Sequence, residues 1–535
     1  MALPTLIVTG ASGFVGRHLL EEIKGEYRIF AIARRSQREC GAPVHANIAW
    51  MQVDIGDREN LTRTFREIQA AGGAQVLLHL AAYYDFAGEN QPEYVRTNVG
   101  GTRNVFDLAR ELKPSRVIFA SSVAACGFPR PEGPVSESTP ADGLHIYAWS
   151  KRQGEEMLRD YDDAFPSCII RLGAVFSDWC EYPPLYMFID TWLGRSWKAR
   201  ILAGRGTSAI PYVHVRDVVA FLRAVLANAY ALGQREILIG STPGCTSHLE
   251  LFRLAHQHFS GAERRALFMP RALCGAGMLG MEALGRLTGH MPFERLWMAR
   301  YIDHQLAIDN SRTCARLGWS PSPRLRIERR MPFLIERLRS QPFEWQARNA
   351  AAMRRTETRP DLRILTALVK VEDLVVTSVV DTLVDQRNAA RFPTYRRLDR
   401  EELAWRVRLN YRLLLSSLRS SDRMVIASYI EVTAPSRFRS GFTAEEVNGM
   451  LDVLNGAVLH NLELRAGVKE VERELYHRIT VPIQFAKDEV LDQYDRFVAG
   501  PAAEEGREGP PVEEVPASPR QAIEETIWNI LVHRQ

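Results

Sequence analysis

The N-terminal part of the chain alternates short apolar runs with longer segments that are apolar on one side only. Apolar runs that predict buried strands lie at residues 6–9, 27–33, 48–54, 76–81 and 116–120, and a sixth precedes Arg171. Segments such as 17–24 and 91–112 have the spacing of helices. Strands that alternate with helices form a parallel sheet covered on both faces. The pattern therefore predicts an α/β fold with a doubly wound parallel sheet.

The pattern changes after Thr356-Glu-Thr-Arg-Pro360, and from Leu362 to about Val498 it predicts helices alone. Two capping boxes, Asp399-x-x-Glu402 and Thr443-x-x-Glu446, precede apolar residues at helical spacing. We expect an all-α domain here, preceded by an amphipathic helix over 332–353. The expected divisions are a first domain at 1–355 with a small substrate lobe at about 180–345, a linker at 356–362, an all-α domain at 363–500, and a flexible acidic tail at 501–535 that ends in a short helix.

Composition excludes several classes of protein. A formal net charge of +4 on 535 residues is too small for nucleic acid to be the main partner. The seven cysteines include no C-x-x-C pair, which is typical of free thiols in a reducing compartment. The N-terminus has no signal-peptide n-region, and no apolar stretch is long enough to span a bilayer. We expect a cytoplasmic protein with neither a metal site nor a transmembrane segment.

A glycine-rich turn follows the first predicted strand. Gly10, Gly13 and Gly16 allow a tight turn and aim the N-terminus of the next helix at a pyrophosphate, as in dinucleotide-binding proteins. Arg34 and Arg35 follow the second strand, where arginine accommodates the 2′-phosphate of NADP and an acidic residue would hold the ribose hydroxyl of NAD. The alternative is that both arginines are solvated loop charges. NADP is the preferred cofactor, with NAD as the alternative.

Tyr147 and Lys151 are the strongest catalytic candidates. They lie one helical turn apart, so their polar ends can share one site. A free tyrosine has a pKa near 10. Lowering this pKa to about 7 takes ~4 kcal/mol of stabilisation of the phenolate, which a nearby ammonium group can supply. The alternative is an ordinary pair on a helix surface. Ser122 lies at the carboxyl end of the fifth strand, where open α/β sheets bind their ligands, whereas His79 is expected to be a packed core residue.

These residues occur in the order of a known family, together with Asp54, His79-x-Ala-Ala82, Asn98, Arg171-Leu-Gly-Ala-Val-Phe176 and Tyr212-Val-His-Val-Arg-Asp217. Over roughly residues 3–345 the chain resembles the extended short-chain dehydrogenase/reductase family, also called the NAD-dependent epimerase/dehydratase family. The resemblance implies a Rossmann fold.

The resemblance also implies roles. Tyr147 would be the general acid/base, and Lys151 would lower its pKa and bind the nicotinamide ribose. Ser122 would hold the reacting oxygen, and Asn98 would support the proton relay or the active-site helix. The residues expected to contact the cofactor are Gly10, Ser12, Gly13, Phe14, Val15, Gly16, Arg34, Arg35, Asp54, Ile55, Leu80, Ala81, Ala82 and Lys151. Among these, Asp54 is suited to the adenine amino group.

Departures from the family's subgroups narrow the expected substrate. Val123-Ala124 replaces the Asp-Glu pair of the dehydratases, and Gly173-Ala174 lies where sugar-nucleotide epimerases usually carry an asparagine. The chain looks more like the 3β-hydroxysteroid dehydrogenase and dihydroflavonol reductase branches, which implies a small hydrophobic ketone or alcohol as substrate. Candidate lining residues are Tyr83, Tyr84, Phe86, Trp149, Trp179 and Tyr182. A nucleotide-sugar epimerase and a dinucleotide-sensing signalling protein are the alternatives.

The all-α part resembles the RsbR-type sensor domain, a globin-like bundle without haem. The residues that carry this resemblance are Pro393-x-Tyr395-x-x-Leu398 and Gly441-Phe-Thr-Ala-Glu-Glu-Val447. It implies a homodimer and a signalling partner. His460 and His477 are expected to be ordinary helix residues rather than haem ligands.

Overall fold

The structure is a computed structural model that describes residues 3–85, 92–130, 133–194, 197–288, 295–353, 360–420, 424–466 and 472–499. The chain divides into two compact units, Met1–Arg337 and Leu338–Gln535. This division comes earlier than residue 355, where the sequence predicts the end of the first domain.

The first unit contains the predicted parallel sheet. Its strands in chain order are β1 (Thr5–Thr9), β2 (Arg28–Ala33), β3 (Ile48–Gln52), β4 (Val76–His79), β5 (Arg116–Ser122), β6 (Ser167–Leu172), β7 (Ala174–Phe176), β8 (Ile201–Ala203), β9 (Ala209–Ile210), β10 (Tyr212–His214), β11 (Arg235–Gly240), β12 (Thr246–Ser247) and β13 (Leu267–Met269). Seven of them form one sheet in the order β11-β6-β5-β4-β1-β2-β3, with every neighbouring pair parallel. This is the strand order of a Rossmann sheet, so the predicted fold class is confirmed.

The described α-helices up to residue 340 include those that cover both faces of the sheet. They are α1 (Phe14–Ile23), α2 (Gln37–Cys40), α3 (Arg58–Ala70), α4 (Thr102–Leu112), α5 (Ile146–Met157), α6 (Pro183–Leu193), α7 (Val215–Ala227), α8 (His248–Ser260), α9 (Arg271–Thr288), α10 (Ser311–Leu317) and α11 (Ile327–Ser340). Successive strand residues point to opposite faces: Leu6 and Val8 join a core that contains residues of α1 and α7, and Ile7 joins one that contains residues of α3 and α4. Both cores are buried, as a doubly wound sheet requires.

The region expected to form the substrate lobe has short two-stranded sheets instead of a further large one. β7 pairs with β10, β9 with β12, and β8 with β13. The helices α6, α8 and α9 lie in the same stretch of chain. Small sheets of this kind shape loops around the carboxyl edge of the main sheet without extending it.

The described part of the second unit is helical, as predicted. Its α-helices are α12 (Pro342–Ala352), α13 (Pro360–Val384), α14 (Arg400–Ser420), α15 (Val425–Arg439), α16 (Ala444–Ala466) and α17 (Glu472–Ala499). They share one hydrophobic core. Thr443 and Glu446 form the predicted capping box before α16. At α14, in contrast, Asp399 caps the Glu401 N–H and Glu402 binds Arg406 instead.

Two boundary predictions differ from the structure. The helix expected over 332–353 is two helices, because Pro342 begins α12 and proline favours the first position of a helix. α12 packs against α13 and α14 and contains Trp345, which is only 2% exposed, so it belongs to the second unit. The expected linker 356–362 overlaps α13, which begins at Pro360 for the same reason.

Some predictions concern residues outside the described ranges, and others concern properties that the structure does not determine. Phe86 and the tail at 501–535, with its expected terminal helix, lie outside the described residues. The globin-like character of the second unit and the cytoplasmic location stay predictions. None of the described helices combines the length and apolar character needed to cross a membrane.

Candidate active site

The carboxyl edge of the main sheet brings Tyr147, Lys151 and Ser122 together. Tyr147 and Lys151 lie on α5, and the Lys151 ammonium nitrogen is 6.0 Å from the centre of the Tyr147 ring. The Ser122 hydroxyl at the end of β5 hydrogen-bonds the Tyr147 hydroxyl. Lys151 Nζ donates to the Ala120 carbonyl at 2.7 Å, which fixes the lysine against the same strand. The three candidates therefore share one site.

Burial dominates the ionisation of both α5 residues. It raises the pKa of Tyr147 to about 12, and the hydrogen bond with Ser122 opposes this shift. It lowers the pKa of Lys151 to about 8, against the attraction of the Glu155 carboxylate. Burial therefore acts against the lowering of the tyrosine pKa that the resemblance implies. At neutral pH Tyr147 is a protonated acid beside a cation.

Asn98 lies in a π-helical turn, Tyr94–Gly101, that precedes α4. Its Oδ1 accepts from the Tyr83 backbone N–H at 2.6 Å, and its Nδ2 donates to the Tyr83 carbonyl at 2.9 Å and to the Ser150 hydroxyl at 3.0 Å. Of the two expected roles, these contacts fit support of the active-site helix, since Ser150 is on α5. π-turns of this kind are frequent at functional sites.

A buried ion pair behind the site was missed by the sequence reasoning. Arg171 on β6 makes a two-pronged contact with Glu155 on α5, with Nε to Oε1 at 3.0 Å and Nη2 to Oε2 at 2.8 Å. The Ser121 hydroxyl donates to the same carboxylate. Glu155 lies one turn after Lys151 on the same helix, and this spacing was the signal that could have found it. The pair ties α5 to the end of the sheet.

The glycine turn is shaped for close backbone approach. Gly10 has φ +72°, and a Cβ there would lie 2.6 Å from the Ala81 nitrogen. A Cβ on Gly16 would lie 2.5 Å from the Gly10 carbonyl oxygen. Both positions therefore exclude any side chain. The turn also brings β1 and the Leu80–Ala82 segment together, as expected of the cofactor residues.

The N-terminus of α1 fits a dinucleotide phosphate. Gly13 is its N-cap and contributes no side-chain cap, and the first turn of α1, described throughout, contains no acidic residue. The backbone N–H groups of Phe14 and Val15 at this end favour an anion. Ile55 lies farther along the edge, where a Cβ on Gly101 would be 2.8 Å from its Cγ1. The residues present thus suit the cofactor that the resemblance implies.

Arg34 and Arg35 are already engaged. Arg34 Nη1 lies 3.3 Å from Glu93 Oε1 and 3.9 Å from Asp54 Oδ2. Arg35 Nη2 donates to the Ser12 carbonyl. Asp54 also accepts from Arg96 at 2.9 Å. Neither Glu93 nor Arg96 was singled out in the sequence. Together with Arg34 and Asp54 they form a network of both charges, at the position where the resemblance implies the adenosine end of the cofactor.

Two of the six candidate lining aromatics face Tyr147. The Tyr84 ring lies edge-on at 4.7 Å between ring centres, and the Tyr182 hydroxyl hydrogen-bonds that of Tyr84. Tyr83 instead packs on Tyr94 at 5.0 Å, and Trp179 lies under the Arg337 guanidinium at 4.7 Å. Trp149 lies on α5, where its backbone N–H donates to the His145 carbonyl.

The loop that carries Tyr182 is strained and anchored. Cys180 and Glu181 both have positive φ, 73° and 52°, a conformation that L side chains rarely adopt. Before them, Asp178 accepts two hydrogen bonds from Arg330, each 2.7 Å long. Sequence spacing alone gave no signal of this anchor, which holds the loop beside the site.

His79 is a packed core residue, as expected. It is buried, with Nδ1 at 2.6 Å from the Thr9 hydroxyl and Nε2 at 3.0 Å from the Thr102 hydroxyl. Burial lowers the pKa of His79 to about 3, so the ring is neutral. It connects β4 to β1 and α4.

Known proteins resemble the first unit. UDP-glucuronate 4-epimerase 4 of Arabidopsis thaliana is 28% identical over 247 residues, which cover 42% of this chain and 54% of that protein. An Arabidopsis thaliana 3beta-hydroxysteroid-dehydrogenase/decarboxylase, isoform 1, is 25% identical over 350 residues, 59% of this chain and 75% of that protein. A putative dihydroflavonol 4-reductase of Synechocystis is 29% identical over 255 residues, 45% of this chain and 70% of that protein.

The chain spans about half the length of the first of these relatives. A family model also matches: residues 6–240 fit that of the NAD dependent epimerase/dehydratase family. The matched segment contains the glycine turn, the α5 pair and Ser122 in the arrangement described above. Residues 6–240 are therefore similar to the NAD-dependent epimerase/dehydratase family.

Proposed function

We propose that the first unit is an NAD(P)-dependent oxidoreductase that interconverts a hydrophobic ketone and its alcohol. The observation that carries the proposal is the convergence of Tyr147, Lys151 and Ser122 at the carboxyl edge of the sheet, next to the N-terminus of α1. When bound, the nicotinamide cofactor supplies or accepts the hydride. The chain's own residues handle the proton.

Tyr147 starts as the proton donor. Because burial raises its pKa to about 12, its hydroxyl is protonated at neutral pH, and this is the form that ketone reduction uses. Ser122, already bonded to the Tyr147 hydroxyl, holds the substrate oxygen beside it. Lys151 supplies positive charge that stabilises the phenolate left after transfer. In the reverse direction, alcohol oxidation, the same tyrosine must first lose this proton.

A hydrophobic substrate fits the wall opposite Tyr147. The Tyr84 ring packs edge-on against Tyr147, and Tyr182 interacts with both tyrosines, so aromatic side chains surround the proposed acid. Val123 and Ala124 offer no acid or base for dehydration. Ala174 begins β7, and its methyl group provides no amide for a sugar nucleotide. These features support an apolar ketone over a nucleotide sugar.

We propose NADP as the preferred cofactor, with NAD as the alternative. Arg34 and Arg35 support NADP because they follow β2, where a 2′-phosphate would lie. Glu93 and Asp54 oppose it, since both carboxylates already neutralise Arg34. The family as such is described as NAD dependent.

A nucleotide-sugar epimerase is the second candidate. UDP-glucuronate 4-epimerase 4, 28% identical over 247 residues, favours it. An epimerase would keep its nicotinamide bound and would show no net oxidation. A dinucleotide sensor without turnover is the third reading, and the assembled Tyr147–Lys151–Ser122 group argues against it.

The deciding experiment is a substrate panel with the purified full chain. NADPH and NADH oxidation would be followed against apolar ketones, aldehydes and nucleotide sugars, with sugar products also analysed for inversion. Oxidation of NADPH by an apolar ketone, lost in Tyr147→Phe, is the expected result. Sugar inversion without net oxidation would establish the epimerase instead. Nucleotide binding with neither reaction would favour the sensor.

We further propose that the second unit regulates or dimerises the first. The predicted resemblance to a dimerising sensor domain supports a homodimer and a signalling partner. The test is the mass of the full chain in solution by light scattering, and a monomer at micromolar concentration would contradict the proposal.

A further inference from the structure

The all-α unit buries a positive charge for which its described residues supply no ion-paired carboxylate. Arg437 lies in the last turn of α15 and is only 6% exposed. Its Nη2 donates to the Tyr429 hydroxyl at 3.4 Å, but its Nη1 is buried without a hydrogen-bond partner. Among the described residues, the groups that interact electrostatically with it are the tyrosines Tyr429, Tyr395 and Tyr494. Burial of a charge in this state is strongly destabilising unless a counter-charge joins it.

Other unpartnered polar atoms surround this guanidinium. Arg437 lines a narrow pocket together with Tyr395, Arg406, Val407, Asn410 and Met450. The Tyr395 hydroxyl and Asn410 Oδ1 are buried without partners, as is the hydroxyl of Tyr494, which interacts electrostatically with Arg437. Buried polar atoms of folded proteins are nearly always hydrogen-bonded. Their concentration around one cation marks a place prepared for a further partner.

The nearest charged groups are committed elsewhere. Glu446 accepts hydrogen bonds from the backbone N–H groups of Thr394 at 2.6 Å and Thr443 at 3.2 Å. Arg406 pairs with Glu402, with Nη2 to Oε1 at 2.6 Å. In the described part of the chain, these contacts engage Glu446 and Glu402 with groups other than Arg437. The pocket as a whole carries excess positive charge.

We propose that this pocket binds a small monovalent anion, with a carboxylate as the best-fitting class. The guanidinium fork matches a carboxylate, and the Tyr395 hydroxyl, which also lines the pocket, can donate to it. Tyr429, which accepts from Arg437, keeps its own proton to donate. Val407 and Met450 close the pocket with apolar surface, which disfavours a divalent ion.

The size of the pocket limits its occupant. The lining atoms leave no room for a water-sized sphere, so even formate enters only with a small movement of the side chains. Binding should therefore be selective for the smallest carboxylates. It should also reduce the local opening of α15, since the anion neutralises the buried charge of that helix.

The test follows backbone hydrogen exchange of the full chain by mass spectrometry. Peptides from α15 and α16 would be compared in sodium sulfate, chloride, acetate and formate at matched ionic strength. We expect exchange in α15 to slow at least about threefold in formate relative to sulfate, with a saturable dose dependence. Arg437→Met should remove this effect. Arg439→Met, an exposed arginine on the same helix, is the matched control and should retain it.

The outcomes separate a site from general salt effects. Equal slowing in wild type and Arg437→Met, or equal slowing by sulfate and formate, would overturn the site. Equal slowing by chloride and formate would support the anion site and overturn its preference for carboxylates. If Arg437→Met does not fold, Tyr395→Phe removes one donor and should raise the half-saturating formate concentration at least about threefold; an unchanged value would overturn the proposal.

Discussion

Two buried arginines show how differently the two units complete their interiors. Arg171 in the first unit is 1% exposed and Arg437 in the second is 6% exposed. Arg171 meets both oxygens of Glu155 and also donates to the Thr139 carbonyl at 2.6 Å. Arg437 has one long bond to a tyrosine hydroxyl and an unpartnered nitrogen. The first unit supplies a carboxylate for its buried arginine, whereas the described residues of the second unit supply none for Arg437.

A second buried arginine of the first unit is also fully hydrogen-bonded, although by carbonyls and not by a carboxylate. Arg116 in the first unit is 3% exposed, and its nitrogens donate to the carbonyls of Ala229, Ser167, Gly233 and Leu232. A site with paired charges is preorganised, which suits chemistry that occurs in a fixed geometry. A site with an unpaired charge has a stability that depends on its occupant, which suits a sensor.

The sharpest test of the comparison removes each arginine in turn. Arg171→Met leaves Glu155 buried and unpaired, so we expect a loss of ~3–5 kcal/mol in the stability of the first unit. Arg437→Met removes an uncompensated charge, so in sulfate buffer it should leave the stability of the second unit unchanged or raise it by up to ~4 kcal/mol. Denaturant unfolding of the full chain, with each transition assigned by proteolysis, measures both. Comparable losses would remove the distinction.

The boundary between the units gives the next largest effect. Because α12 buries Trp345 within the second unit, a fragment 341–500 should be more stable than a fragment 360–500 by at least ~3 kcal/mol, the scale of losing a buried tryptophan. Urea unfolding of the two fragments compares them, and light scattering of the longer one tests whether it dimerises. Equal stabilities would assign α12 to the first unit, in agreement with the domain end that the sequence predicts at residue 355.

Much of the first unit was predictable because its signals are local. The strand runs, the Gly10–Gly16 turn and the Tyr147–Lys151 spacing each lie within a few residues, and the structure has them in the expected elements. Contacts between distant segments left no such trace. The Arg171–Glu155 pair, the Asp178–Arg330 anchor and the Glu93 partner of Arg34 join residues whose proximity only the fold creates.

The ionisation of Tyr147 illustrates the same limit. Its spacing from Lys151 predicts a lowered pKa, but the Lys151 ammonium donates to the Ala120 carbonyl and burial raises the tyrosine pKa instead. Likewise, the capping box at Thr443 formed, while Glu402 found Arg406 on its own helix. In each case two groups could contact the same side chain, and the sequence does not show which contact forms.

A third prediction asks whether the first unit depends on Tyr147 as its acid. Tyr147→Phe should lower turnover of the ketone by at least ~10²-fold and leave cofactor affinity near normal, since only the proton donor is lost. Steady-state rates and cofactor titration by fluorescence measure both quantities. Tyr230→Phe, which removes an exposed hydroxyl in the same unit, is the control. Turnover within threefold of wild type would exclude the assigned role.

A fourth prediction concerns a cation that is exposed rather than buried. Arg34→Asp adds a third carboxylate beside Glu93 and Asp54, which would repel a 2′-phosphate and suit a ribose hydroxyl. We expect the ratio of kcat/KM for NADPH over NADH to fall about tenfold, ~1.4 kcal/mol. Arg38→Asp, an exposed arginine nearby in α2, should leave the ratio unchanged. An equal ratio in both variants would show that Arg34 does not contact the phosphate.

The last prediction concerns Lys151, a buried cation held by a carbonyl rather than a full ion pair, and expects only a twofold effect at its pKa. Its folded pKa is lowered to about 8 by burial, so the ammonium form prevails below that pH and the neutral form above it. If the charge assists proton transfer, kcat/KM for the cofactor, which reports the free enzyme, should fall to about half its neutral value near pH 8 and about tenfold per further pH unit. Circular dichroism over the same range controls for unfolding. If kcat/KM stays constant to pH 9.5, Lys151 keeps its charge over the whole range, as Arg171 does, and the lowered pKa is wrong.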